Sequence, residues 1–285
     1  ALVALGGLVR EADRWRVGPK WAELELPHHL DALIGAHIAS LSKPAQTFMR
    51  VASVIESPFV PDLVFDIVRF GGDRPRTITE LLDARLVRRA RGEALEIAQG
   101  AVEAQLRKSV LDGDRRRVHA RAAEVLMADD APSAAVRAAI AHHLLSAGDD
   151  RRGAQEAARA AEAEPSHAIA RSLWRRSIEA YRRAMVADPL LSDEALDAVA
   201  LATPVIGAQS LEEAAKLVDG FTSTPTLSRA KALSARSKVL LQLGRVADAE
   251  DAARKALEMI PFGSDPCLFI HISEPTRLRR ISYAV

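Results

Sequence analysis

Cysteine is nearly absent: the 285-residue chain has one, Cys267. A disulfide framework within the chain is excluded, which fits a reducing, cytoplasmic setting. Aromatic residues make up only 4%. Ala, Leu and Val carry the hydrophobic share of 48%, a mix that favours helices. Neither sign of charge dominates, with 39 Lys and Arg against 38 Asp and Glu and a net of +1. A protein-wide nucleic-acid or membrane surface is therefore not indicated, and any basic patch must be local. Apolar runs fall far short of a membrane span. There is no Gly-Lys pair, so the phosphate-cradling G-x-x-x-x-G-K-[ST] loop is missing and no nucleotide hydrolysis is expected. Nucleophile-elbow and triad motifs are missing too. The opening "ALVALGGLVREADRW" has neither an initiator Met nor a basic signal-peptide start, and reads as the middle of something longer.

What is present is helical spacing, after a short start of another kind. Leu8-Val9 and Trp15-Arg16-Val17 read as the strands of a β-hairpin with Glu11 to Arg14 at its turn. From His28, apolar residues at Leu30, Leu33, Ile34, Ile38 and Leu41 recur at three and four. Ser42 is placed to cap a second helix with Pro44 in its first turn. "PDLVFDIVRF" predicts a third helix, stopped by Gly71-Gly72. Thr77 or Thr79 is expected to cap a fourth, "TITELLDARLVRRA". Arg91-Gly92 and the short apolar "ALEIA" follow. Short helices, a turn and a strand outline a winged helix-turn-helix domain over residues 23–100.

From Ala101 to about Ile260 the chain is Ala-rich and helical, broken at short intervals, the pattern of a helical-hairpin solenoid. "ALSARSKVLLQLGRVADAEDAARKALEMIP" resembles a tetratricopeptide (TPR) repeat. Gly244 stands at its inter-helix turn, Ala249 and Ala256 at close helix contacts, Leu257 in the core and Pro261 at its end. "SIEAYRRAMVADP" repeats the second half, with Ser177, Tyr181, Ala184, Met185 and Pro189 in the matching places. The two closing prolines are 72 residues apart, slightly more than two units of roughly 34 residues. A third copy is "GDDRRGAQEAARAAEAEP". The fold class expected is all-α: a winged helix, then TPR-like hairpins over residues 101–261. Residues 262–285 form a β-prone, irregular tail.

The order of these pieces resembles the region after the nucleotide-binding module in bacterial STAND signal-transduction ATPases, such as LuxR-type regulators and cyclase- or kinase-linked ATPases. Four stretches carry the resemblance. "ALVALGGLVREADRWRV" looks like the end of the ATPase lid, over residues 1–22. "LPHHLDALIGAHIASLSKPAQTFMRVASVIESPF" looks like the linker into the winged helix. "RRRVHARAAEVL" and "AIAHHLLSAGDDRRGAQEAARAA" look like the family's helices that follow. The family's histidine after the wing strand is missing, with Gln99 or Gly100 in that region. The resemblance implies an ATP-binding core upstream of Ala1, no cofactor in this chain, and a regulatory role without catalysis. The expected partners are that upstream module and a protein or peptide on the repeats.

Two clusters invite a sharper reading. In "AIAHHLLSAGDDRRGA", His142 and His143 are neighbours about 100° apart on a helix. Helical metal pairs need i,i+4 spacing, and Ala138, Ser146, Ala139 and Ala147 occupy those positions. No metal site is expected. His143 falls on the family's "I-A-x-H" histidine and reads as the inter-helix packing residue. Gly148 reads as a helix C-cap, and Asp149 and Asp150 as caps of the next helix rather than a catalytic pair. In "ARLVRRARG", Arg85, Arg88, Arg89 and Arg91 suit a recognition helix contacting phosphates and bases. Their competing reading is a solvated helix end or a partner contact. A DNA-binding regulator is thus the alternative to an interaction scaffold.

Overall fold

The computed structural model describes residues 8–11, 14–18, 30–191, 193–202, 205 and 227–259. Two compact units divide at 128/129, Ala1–Ala128 and Asp129–Val285. The described residues are mostly helical, so the all-α class holds, with two small antiparallel sheets besides. No helix among them is long and apolar enough to cross a membrane.

The first unit opens with a hairpin, β1 (Leu8–Glu11) and β2 (Arg14–Val17), whose ends pair Glu11 with Arg14. Its strands extend to the positions read as the turn. Helices α1 (Leu30–Ala39), α2 (Lys43–Ile55), α3 (Pro61–Val68) and α4 (Arg74–Asp83) follow. Ser42 caps α2, its Oγ accepting from the Ala45 N–H, with Pro44 in the first turn. The same Ser42 donates its own N–H and O–H to the Glu80 carboxylate of α4, each at 2.6 Å. An anion at a helix N-terminus is favoured by the backbone dipoles there, so this contact also fixes α4 beside α2.

Two helix boundaries differ from expectation. Helix α3 stops at Arg69, in the left-handed region at φ 53°, before Gly71-Gly72. The Phe70 N–H bonds the Phe65 carbonyl and the Arg69 N–H bonds that of Asp66. This pair of bonds is the Schellman stop, which accompanies a hydrophobic contact across the turn. Here the contact is Phe65 on Phe70, with ring centroids 5.0 Å apart. Helix α4 is capped by Asp73, not by either threonine; Asp73 accepts from the Arg76 N–H, and Thr77 lies buried inside the helix. An Asp followed by Arg74-Pro75 carried the start signal.

The strands β3 (Val87–Arg89) and β4 (Leu95–Ile97) pair antiparallel. Phe59 adds a rung to β4, exchanging both backbone bonds with Leu95 at 2.8 Å. The core gathers Phe48, Phe59 and Phe65, with Phe48 4.8 Å from Phe65 and 6.0 Å from Phe59. Helix α5 (Gly100–Ser109) places Val102 and Leu106 in the same core, and α6 (Asp112–Leu126) also packs on α2 and α3. The first unit therefore runs past the composition shift at residue 101.

The second unit is built from helical hairpins. Helices α7 (Ala134–Ala147), α8 (Asp150–Ala163) and α9 (His167–Ala187) pack in series. A 3-10 turn, Pro189–Leu191, leads to α10 (residues 193–202). Helices α11 (Leu227–Gln242) and α12 (Val246–Glu258) form a further hairpin. Its core is mainly alanine: Ala154, Ala160, Ala195, Ala202, Ala230 and Ala256 surround Leu196, Leu233, Trp174 and Tyr181.

Candidate functional site

The arginine set does not lie on a helix. Arg85 takes φ 55° and ends α4 in another Schellman stop, its N–H bonding the Leu82 carbonyl and that of Leu86 bonding Leu81. The recognition-helix reading of "ARLVRRARG" is corrected accordingly. Leu86 and Val87 are buried, and they draw the chain into β3 against Leu95 and Ile97. Strand alternation then separates the neighbours Arg88 and Arg89 onto opposite faces of the ribbon. Arg88 faces Glu96 across the pair, Nε to Oε1 at 2.5 Å. Arg91 sits in the tight connection closed by the Ala90 N–H on the Ala94 carbonyl, beside Gly92 at φ 65°. All four arginines are exposed. They form no single helical face, and the first arginine of α4 is committed elsewhere. Arg74 bridges Asp62 (3.2 Å) and Asp66 (2.8 Å) and lies 5.2 Å from the Phe65 ring centroid.

Of the repeat positions, His143, Tyr181, Ala249 and Ala256 are buried, Gly148 and Gly244 stand at helix ends, and Pro189 is exposed. His143 is buried in α7 while His142 is half-buried, and their rings lie 5.2 Å apart at 60°. Gly148 at φ 92° ends α7, and the Asp149 carboxylate accepts from the Arg152 N–H to start α8. Asp150 opens α8 and takes Arg183 of α9 at 2.7 Å. This contact holds the Arg183 guanidinium above its ordinary value, the hydrogen bond being the first cause.

Where α8 meets its neighbours the residues are small. Gly153 leaves no room for a side chain: an added Cβ would lie 2.5 Å from Leu145 Cδ2 and 3.2 Å from the Leu145 backbone nitrogen. Ser177 of α9 donates its hydroxyl to the Ala154 carbonyl at 2.9 Å in the buried seam. Tyr181 is 4% exposed; Ala184 is half-buried, and its carbonyl accepts the Asp188 N–H before exposed Pro189. In the last hairpin Gly244 adopts φ 74°, and Ala249 and Ala256 are buried. Leu257 is a correction: it is 36% exposed, because Ala249, Ala252, Ala253 and Ala256 already form the inward face of α12. Pro261 lies outside the described residues.

Sequence reasoning missed two carboxylates. Glu156, buried in α8, takes Arg137 of α7 at 3.2 Å and Arg159 at 2.5 Å. Glu194 of α10 receives Arg151 (2.7 Å) and Gln155 (3.0 Å) of α8. Neither had a sequence signal, since an Ala-rich helix with scattered charge does not reveal which carboxylate turns inward. Chemically, these arrangements hold helices in register and leave long polar faces outward.

No family model matches the chain, and no curated protein matches it. Among solved structures it is similar to a Signal Transduction ATPase with Numerous Domains (STAND) protein with a tetratricopeptide repeat sensor from Pyrococcus horikoshii, at 14% identity and a TM-score of 0.49. The likeness covers 92% of this chain, which spans 38% of the length of that one.

Proposed function

We propose that this chain is a non-enzymatic regulatory and protein-interaction scaffold within a multidomain signalling ATPase. In this reading a nucleotide-binding module precedes residues 1–22, and the first unit, with its winged-helix outline over 23–100, relays the state of that module. The hairpins of the second unit present their outward faces to a protein or peptide. The observation that carries the reading is the construction of the second unit. Gly153, Ala154, Ala157 and Ala160 are buried at the seams of α8, so packing there is met by small residues while Arg151, Arg152, Arg159 and Glu162 stay exposed. The motif order along the sequence supplies the family.

Two experiments test it. The reading frame upstream of Ala1 is expected to encode a G-x-x-x-x-G-K-[ST] loop, and its absence there overturns the ATPase assignment. A mobility-shift assay with the whole chain is expected to show no sequence-specific retardation. The DNA-binding alternative predicts specific retardation that weakens steeply with salt.

A further inference from the structure

We draw no further inference here: the strongest candidate, the exposed apolar residues Val186, Pro189 and Leu190 at the end of α9 and in the turn after it, carries none, because nothing in the structure shows what covers them.

Discussion

Tyr181 lies where α9 meets the alanine core, and its phenol is pushed up to about 12. Burial is the first cause, because the phenolate would lose its hydration, and the Glu194 carboxylate adds to it. Arg151 and Arg159 pull the other way with less effect. The sign follows from linkage. An unfolded phenol ionises near about 10, so stability from the neutral phenol is complete below that pH and is lost as pH rises through the folded value. The chain has two tyrosines, Tyr181 and Tyr283. A phenolate absorbance titration should show one ionisation near 12, coincident with the start of alkaline unfolding. Tyr181→Phe should remove that step; a wild-type Tyr181 that ionises near about 10 while the helices persist defeats the argument.

At the scale of elements, the distance between α7 and α8 is set by Gly153. Replacing glycine by alanine inside a helix ordinarily gains roughly 1 kcal/mol. Here the new methyl would meet Leu145 Cγ at 2.7 Å as well as the Leu145 backbone nitrogen. A leucine side chain can yield, but a backbone atom moves only with its helix. The clash should outweigh the propensity gain, for a net loss of about 1–2 kcal/mol. Gly113, exposed in the first turn of α6 with nothing within 4 Å of an added Cβ, is the control. Gly113→Ala should stabilise by roughly 0.5 kcal/mol, since only propensity acts there. Urea denaturation of both variants decides it, and equal signs would reject the close-approach account. The same elements show what the sequence could and could not disclose. Gly148 and Gly244 end α7 and α11 in the left-handed conformation, and both stops were legible because glycine marks them. Arg69 and Arg85 end α3 and α4 with the same geometry and carry no such mark. There the stop goes with apolar residues on both sides of the turn, Phe65 against Phe70 in α3, and Leu81 and Leu86 both buried in one core at the end of α4. Arg85 ends α4 without a glycine, so the helical pattern of "ARLVRRARG" extends in sequence to Arg88 and Arg89, whereas buried Val87 commits them to a strand.

Across the whole molecule, charge balance and burial together decide how stability responds to salt. With a net of +1 there is little overall repulsion for salt to relieve. Most ion pairs among the described residues join exposed side chains, many of them at i,i+3 on one helix, such as Arg182 with Glu179 and Arg245 with Asp248. Exposed pairs contribute about 0–1 kcal/mol each and are readily screened. Going from about 0.05 to about 0.5 M sodium chloride should therefore change the melting temperature by less than roughly 4 °C. Glu156 is the exception, with its side chain 8% exposed between Arg137 and Arg159. Glu156→Gln keeps the shape but removes the charge that two guanidinium groups share, and should cost about 1–3 kcal/mol. Because water and ions reach that carboxylate poorly, the loss should be nearly the same at both salt concentrations. A loss that disappears at high salt would place Glu156 among the exposed pairs and remove it as the ionic link between α7 and α8.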